Sequence, residues 1–283
     1  MQTLSAHQLL ENKQYTTRAY CLKSWPYGEA DRIVHFFSAD FGKISAIAKG
    51  VKKATSKLAG ACELLHLSSL QLSRGKNLDL LQQYQSIQSF SGIRTDILKL
   101  AYAQVFAELV YVLVSEFEPD SAEIFELLTA HLTALEQSQA SQIAPISMRF
   151  QLKILETAGY LPSLVRCVLS DEALQSEALY YPFSVPLGGA VLSRDTMLEH
   201  LPPGAGSNSY NIYTQDTYTW VNVSSKTLFG LQALLRQPLE MTTASADAPS
   251  FDIPKAQKFL QFYIAQKLEH RFQSFDFLMS VLT

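Results

Sequence analysis

Residues 64–85 decide the fold of the first part of the chain and read LLHLSSLQLSRGKNLDLLQQYQ. Two apolar-rich runs flank Arg74, Gly75 and Lys76, a short loop that contains glycine. The pattern predicts a hairpin of two strands, residues 64–73 and 77–85. Three further short strands are predicted upstream, at residues 16–24, 32–38 and 44–49. Five short strands within about 70 residues favour a small barrel, either an OB-fold or an SH3-like barrel.

After Phe90 the apolar residues recur every three or four positions, which is typical of helices. Helices are predicted at residues 98–113, 122–135, 141–159, 224–235 and 252–268, with Asp252 as an N-cap and Pro254 in the first turn. Residues 160–221 are rich in proline and glycine, and we expect mostly irregular structure there, with little regular packing. The pattern predicts an α+β protein with two domains, residues 1–85 and 86–283, the second mostly helical and carrying residues 166–221 as an irregular insertion.

The net charge of -3 over 283 residues is unevenly distributed. Residues 1–82 contain 11 Lys and Arg against 6 Asp and Glu, whereas residues 83–283 contain 12 against 20. A basic first part on an acidic remainder points to an anionic partner. The alternative is that basic and acidic domains simply vary.

The composition excludes several classes of protein. An apolar content of 47% argues against wholesale disorder, and no uninterrupted apolar run reaches the roughly 18 residues that a membrane helix needs. The first residues do not resemble a signal peptide. Three scattered cysteines fit a reduced, cytoplasmic protein without a disulfide framework. We therefore expect no membrane association.

Motifs for enzymatic chemistry are missing from the sequence. It contains no glycine-rich phosphate-binding loop, no G-x-S-x-G motif and no pair of histidines at metal-ligand spacing. His35 and His66 fall in predicted strands and are interpreted as half-exposed strand residues rather than catalytic groups. An enzyme whose site is assembled from distant carboxylates stays open as an alternative.

The candidate nucleic-acid site is a set of basic residues in the predicted barrel. Residues 49–57 contain four lysines and no acid. Lysine ammonium groups in a loop suit a phosphate backbone, and exposed aromatic rings suit stacked bases. Trp25 is a weaker candidate for stacking than Tyr27. The predicted DNA-binding residues are Tyr27, Lys43, Lys49, Lys52, Lys53, Lys57, Arg74 and Lys76.

Several segments, in this order and spacing, resemble the RecO family of bacterial recombination mediators. They are residues 27–34 (YGEADRIV), 41–44 (FGKI), 48–51 (AKGV), 56–60 (SKLAG), 74–78 (RGKNL), 149–152 (RFQL), 159–162 (GYLP) and 267–274 (KLEHRFQS). The resemblance implies an N-terminal OB-fold followed by a helical domain. It also implies binding to single- and double-stranded DNA and strand annealing, without nucleotide hydrolysis. The implied partners are RecR, the acidic tail of single-strand-binding protein and, in many bacteria, RecF, with RecA loaded as a result.

The sequence departs from this family at its zinc site. Many members hold zinc with two C-x-x-C pairs, whereas the corresponding positions here are Cys167, Ser170, Leu192 and Asp195. These four side chains do not make a closed tetrahedral site, so we expect residues 166–221 to be a degenerate zinc-finger-like insertion and expect no cofactor.

A site for the acidic tail is predicted on the helix that includes residues 149–152. Arg149 and Lys153 are four residues apart and share a helix face, beside the apolar Phe150 and Leu152. An apolar groove with basic residues at its edge would suit a peptide that ends in a hydrophobic residue and a carboxylate. The alternative is that Arg149 pairs with a carboxylate of its own helix.

The alternative function of the whole protein is that of an OB-fold module that serves RNA or a protein complex, without mediator activity.

Overall fold

The computed structural model describes residues 13–116, 121–192, 213–215, 218–240 and 251–283. The chain divides into two compact units. The first comprises the residues up to Gln137 together with Asp276–Thr283, and the second comprises Ser138–Phe275. The domain boundary between residues 85 and 86 stays a prediction.

The first unit contains a closed five-stranded barrel. Its strands are β1 (Gln14–Tyr27), β2 (Asp31–Ser38), β3 (Gly42–Ala48), β4 (Leu67–Ser73) and β5 (Asp79–Gln88). Their order around the barrel is β1-β2-β3-β5-β4, with β1 paired to both β2 and β4, and β3 running parallel to β5. The barrel is therefore OB-like, which decides between the two predicted alternatives in favour of the first.

The alternation of the strands fills the barrel interior. Tyr15, Ala19 and Cys21 of β1 are buried in its core, while Thr16 and Arg18 between them are exposed. The β4–β5 hairpin is confirmed, although β4 begins at Leu67 rather than at residue 64. The strand does not include Leu65, whose φ of 55° lies in the left-handed region that a strand does not use.

Three helices follow the barrel in the first unit: α1 (Ser91–Thr95), α2 (Ile97–Leu113) and α3 (Ala122–Gln137). Asp96 caps α2, since its Oδ1 accepts hydrogen bonds from the backbone N–H groups of Leu98 at 2.9 Å and Lys99 at 3.1 Å. The ring of Phe125 in α3 packs on two barrel rings, at 5.1 Å from Tyr20 and 5.7 Å from Phe37 between ring centroids. The helices thus cover one outer side of the barrel.

The second unit contains the helices α4 (Ala140–Thr157), α5 (Ser225–Arg236) and α6 (Ile253–Lys267). The predicted cap of α6 is confirmed, because the Asp252 carboxylate accepts from the backbone N–H of Lys255 at 3.0 Å. A last helix, α7 (Gln273–Leu282), was not expected from the sequence. In the described residues, no helix combines the length and the apolar character needed to span a membrane.

Most of the described residues in the segment 160–221 are outside regular elements, as expected, but the expectation of little regular packing needs a correction. The segment contains a four-stranded sheet in the order β7-β6-β9-β8. Its strands are β6 (Tyr180–Ser184), β7 (Gly189–Ala190), β8 (Tyr213–Gln215) and β9 (Tyr218–Ser224). Phe183 of β6 is fully buried, with its ring 4.9 Å from that of Phe259 in α6. Gly188, with a φ of 70°, lies in the tight connection between β6 and β7, and Gly189 begins β7.

Candidate nucleic-acid interface

The strand directions decide which loops of the barrel lie together. β1, β3 and β5 run one way, and β2 and β4 run the other way. The β1–β2 and β3–β4 connections therefore meet at one end of the barrel, and the β2–β3 and β4–β5 connections meet at the other. The predicted cations are consequently divided between two ends and the wall between them.

The first end carries the lysine-rich loop that follows β3. The side chains of Lys49, Lys52, Lys53 and Lys57 are all exposed. The loop is fixed to the β1–β2 connection by two hydrogen bonds: the Lys52 backbone N–H donates to the Ala30 carbonyl at 2.9 Å, and the Gly50 N–H donates to the Asp31 carboxylate at 2.7 Å.

Tyr27 lies at the last position of β1, next to this loop, and its side chain is 53% exposed. The Lys52 ammonium donates to the carbonyl of Gly28, the adjoining residue, at 2.9 Å. The fold thus brings one exposed aromatic ring and four exposed lysines to the same end of the barrel. We call this group of residues, Tyr27, Lys49, Lys52, Lys53 and Lys57, the lysine end.

Arg74 and Lys76 lie at the opposite end, in the β4–β5 connection. Lys76 is exposed, but the Arg74 guanidinium packs over the ring of Tyr15 at 4.6 Å and over that of Phe41 at 5.7 Å. Arg74 is thereby half-buried in a cation–π contact with the barrel core. The structure does not bring these two residues together with the lysine end.

Lys43 lies on the barrel wall and is already engaged. Its ammonium donates to the Tyr111 carbonyl at 3.1 Å and lies 4.5 Å from the centre of the Tyr111 ring. Burial lowers the pKa of Lys43 below its ordinary value, and the Glu116 carboxylate opposes this shift. The ammonium thus holds the end of α2 against β3.

The outward face of β1, β2 and β3 carries an aromatic cluster that the sequence did not indicate. The His35 ring lies 4.9 Å from that of Trp25 and 5.2 Å from that of Tyr111, and its Nδ1 is 2.9 Å from the Ser45 hydroxyl. Ser45 donates in turn to the Glu116 carboxylate at 2.5 Å. OB-folds bind oligonucleotides on the face around β2 and β3. Here the end of α2 covers part of that face.

Strand alternation does place Trp25 and His35 on the outer surface, and this is the signal that could have found them. Nothing in the sequence indicates that Tyr111 packs beside them. The interpretation of His35 as a half-exposed strand residue agrees with its partial burial. Burial, followed by the charge of Lys43, lowers the pKa of His35 below its ordinary value.

The predicted peptide site in the second unit needs a correction. Phe150 and Leu152 are fully buried, so the side chain of neither residue lines an exposed groove. The Nε of Arg149 donates to the Gln237 carbonyl at 2.8 Å, and Lys153 pairs with Glu156 at 2.7 Å. Phe150 is therefore a core residue on the buried face of α4, while the roles of Arg149 and Lys153 stay predictions.

Three of the four positions that correspond to the zinc site of the family lie among the described residues. Cys167 is buried, and its sulfur is hydrogen-bonded to the Ser170 side chain and to the backbone of Leu192. Burial alone raises the pKa of this thiol, but these hydrogen bonds lower it overall. The structure thus places Cys167, Ser170 and Leu192 together, and Asp195 lies outside the described residues. One sulfur, one hydroxyl and one aliphatic side chain do not fit zinc.

Comparison with known proteins supports the resemblance over most of the chain. The model of the recombination protein O N-terminal domain matches residues 12–90, and that of its C-terminal domain matches residues 94–208. The DNA repair protein RecO of Gloeothece citriformis (strain PCC 7424) is 35% identical over 190 residues, which cover 65% of this chain and 67% of the relative.

Two further relatives show the same range of similarity. RecO of Synechococcus elongatus is 34% identical over 58% of this chain and 61% of its own length. RecO of Dehalococcoides mccartyi (strain BAV1) is 35% identical over 63% of this chain and 68% of its own length. Both are named DNA repair protein RecO. With an OB-like barrel, a following helical part and matches to both domain models, the chain belongs to the RecO family of DNA repair proteins.

Proposed function

We propose that this protein is a non-enzymatic DNA-binding and strand-annealing mediator of recombination, which helps to load RecA onto DNA coated by single-strand-binding protein. The observation that carries the proposal is the lysine end, where four exposed lysines and the half-exposed ring of Tyr27 lie together at one end of an OB-like barrel. Lysine ammonium groups displace condensed counterions from phosphates, and an aromatic ring stacks on a base of any identity.

Annealing follows from the same chemistry. Two complementary strands repel each other through their phosphates, and a cationic surface lowers that repulsion while they pair. The fixed position of the loop on the β1–β2 connection keeps the lysines at one end of the barrel, so that their charges add. No covalent bond is made or broken in this step, and it needs no catalytic group.

Annealing of complementary oligonucleotides, bare or coated by the cognate single-strand-binding protein, tests the proposal. Faster annealing with the protein present, and further enhancement by RecR on coated strands, is the expected result. Binding to structured RNA or to a protein complex, with no acceleration of DNA annealing, would instead favour an OB-fold module with a different client. Turnover of nucleotides or cleavage of DNA would contradict the non-enzymatic part.

The proposed partners are RecR and the acidic C-terminal tail of single-strand-binding protein, with RecF as a further candidate and RecA acting downstream. For the tail we keep Arg149 and Lys153 as the proposed binding residues. Arg149→Ala should weaken binding of the tail peptide more than about tenfold, because a loss of up to about 1.4 kcal/mol is within the reach of a nearby charge alone. A smaller loss in a titration would leave Arg149 with a structural role only, through its bond to Gln237.

We also propose that the protein folds without zinc, because the side chains beside Cys167 are not zinc ligands. Elemental analysis of tag-free protein should find well below one zinc per chain, and a chelator should leave the melting temperature unchanged. Stoichiometric zinc together with a chelator-induced drop in melting temperature would contradict this proposal.

A further inference from the structure

Side chains on the outward face of β1, β2 and β3 combine the chemistry that a single strand of nucleic acid needs. We call them the wall face, which consists of Lys23, Trp25, His35, Lys43 and Ser45. Lys23 pairs with His35 across β1 and β2, and His35 pairs with Ser45 across β2 and β3, so that the wall face is continuous. Ammonium groups bind phosphates, and aromatic rings stack on bases.

The ring of Tyr111, near the end of α2, already occupies the wall face. It lies 5.2 Å from the ring of His35, measured between centroids. The ammonium groups of Lys43 and Lys23 lie 4.5 Å and 5.6 Å from its centre, one from β3 and one from β1. The tyrosine ring thus makes the contacts with a ring and with cations that a nucleotide base would make there.

The residues directly after α2 occupy the adjoining edge of β3. Glu116 forms bridges with the first two residues of β3, and the Lys43 backbone N–H donates to the Ser115 carbonyl at 3.1 Å. The Glu116 carboxylate also accepts a hydrogen bond from the Ser45 hydroxyl at 2.5 Å. An anionic group of the chain itself therefore takes a hydrogen bond that a phosphate oxygen would accept.

These contacts lie at the surface and can be exchanged for contacts with a ligand. Ser115, Glu116 and Lys23 are exposed, and hydrogen bonds between exposed groups gain little over hydrogen bonds with water. Val114, by contrast, is buried and holds the end of α2 in place. Opening of the wall face therefore needs only a rotation of the Tyr111 side chain and the release of the two residues after Val114.

The wall face continues directly from the lysine end. Tyr27 belongs to the lysine end, and Trp25 of the wall face lies two residues earlier on the same strand. Side chains two residues apart in a strand point to the same side of the sheet. A nucleic acid that is bound at the lysine end therefore presents its next nucleotides to the wall face at a high local concentration.

We propose that the end of α2 is an autoinhibitory contact, in which Tyr111 and Glu116 occupy the wall face until a single strand of nucleic acid displaces them. In the open state a base stacks on Trp25, and a phosphate takes the place of the Glu116 carboxylate. The inference rests on the proposed DNA-binding function and adds a control of it. Binding at the lysine end comes first, and binding on the wall face follows.

The probe for the test is a fluorescein-labelled single strand of thymidines, which is titrated with the whole chain while fluorescence anisotropy is measured. The fraction of open molecules limits the apparent affinity, so a variant that removes the cover should bind the probe more tightly. Tyr111→Ala and Glu116→Gln should each lower the dissociation constant at least about threefold. Because Glu116 is exposed, Glu116→Gln tests the contact even if Tyr111→Ala fails to fold.

Trp25 reports directly on the wall face. The chain has 2 tryptophans, so Trp220→Phe leaves Trp25 as the one that remains. A base that stacks on Trp25 quenches its emission, and an unlabelled strand of thymidines should quench it at lower concentration when Tyr111→Ala is added. Trp25→Ala should abolish the gain in affinity that Tyr111→Ala causes. By itself it should change the affinity little, because the wall face of that variant is closed.

Two matched controls leave the cover in place. Tyr111→Phe keeps the ring, and Glu172→Gln removes the same charge as Glu116→Gln from an exposed position in the second unit. Both should bind the probe as the wild type does. Equal gains in affinity for Glu172→Gln and Glu116→Gln would show that only net charge is at work, and would overturn the proposal.

Three further results would overturn it: wild-type affinity in both uncovering variants, weaker binding by a folded uncovering variant, or a gain that survives Trp25→Ala. Weaker binding would make the end of α2 a part of the binding surface rather than its cover. Strand annealing by the wild type separates these failures from a failure of the proposed function. Annealing persists if only the autoinhibitory contact is wrong, and it is absent if the proposed function is wrong.

Discussion

The lysines of the lysine end differ in their surroundings from two other basic residues of the barrel, Lys43 on its wall and Arg74 at its opposite end. Lys49, Lys53 and Lys57 extend into solvent from a loop that is held through its backbone. Lys43 and Arg74, by contrast, pack on aromatic rings and are half-buried. An ammonium group that is already bonded inside the protein gains little from a phosphate, because it must first give up its present partners.

Because of this difference, we expect the exposed lysines to contribute to DNA binding and the packed cations to contribute to stability. The exposed lysines can be removed without disturbing the packing of the barrel, whereas the wall cations hold the end of α2 and the β4–β5 connection in place. Basic residues that the sequence does not distinguish are therefore expected to have different effects when they are mutated. Removing the first group should change DNA affinity, and removing the second should change stability.

The largest effect is expected for the replacement of Lys49, Lys52, Lys53 and Lys57 by alanine. If each lysine neutralises one phosphate, the log–log salt slope on single strands should fall by about 0.7 per contact, or about 2.8 in all. At about 0.2 M salt this corresponds to a loss of affinity of roughly a hundredfold. Binding isotherms at several salt concentrations measure both quantities.

A matched control removes four exposed cations from the second unit, namely Lys226, Arg236, Lys255 and Lys258. It lowers the net charge by the same amount as the lysine-end variant. If the two variants lost DNA affinity equally, only net charge would be at work and the lysine end would not be a site. An unchanged slope in a folded lysine-end variant would have the same meaning.

The sequence was most informative where the period of the apolar residues was clear. Alternation in residues 64–85 predicted the β4–β5 hairpin, and the N-cap at Asp252 predicted the start of α6. The sheet formed by β6 to β9 was missed because its strands are short and separated by glycine and proline. Phe183 of this sheet packs on the ring of Phe259, which is distant in the sequence, and local periodicity does not show such a contact.

The candidate site was predictable in part for a related reason. Residues 49–57 contain four lysines and no acidic residue, and their position between predicted strands indicated a loop. The packing of Arg74 on Tyr15 joins residues 59 positions apart, and that of Lys43 on Tyr111 joins residues 68 positions apart. Long-range contacts of this kind depend on barrel closure and helix placement, so composition alone could not sort the cations.

Tyr27 tests whether the lysine end binds bases as well as phosphates. Tyr27→Ala should weaken binding to single strands by about 1–3 kcal/mol, the value of one stacked base, and should leave the salt slope unchanged. Tyr27→Phe is the control and should bind as the wild type does, because stacking needs the ring and not the hydroxyl. A tyrosine that only fills space beside the loop would give equal affinities for all three proteins.

Arg74 should behave in the opposite way. Arg74→Ala removes a guanidinium from the rings of Tyr15 and Phe41, and should lower the free energy of unfolding by about 1 kcal/mol. Chemical denaturation measures this loss. Its effect on the salt slope should be smaller than that of one exposed lysine, with Lys76→Ala as the control at the same end. A fall in the slope of a full contact, with stability unchanged, would move Arg74 into the DNA-binding group.

The smallest effect is expected from His35 on the barrel wall, and it depends on pH. Burial and the nearby Lys43 lower the pKa of His35, while Glu116 opposes them and Lys23 adds to them. Because the pKa is lower in the folded than in the unfolded protein, the unfolded state binds more protons as the pH falls below the ordinary histidine value of about 6.5. The contribution of His35 to stability is therefore present above that pH and is lost below it.

The melting temperature should decline between about pH 7 and about pH 5, and it should decline less steeply in His35→Gln, which removes the titrating ring. His66, whose pKa is also lowered by burial, accounts for part of the decline that remains. Identical pH profiles for the variant and the wild type would show that protonation of His35 does not disturb the wall, and would remove it from the group of residues that hold α2 on the barrel.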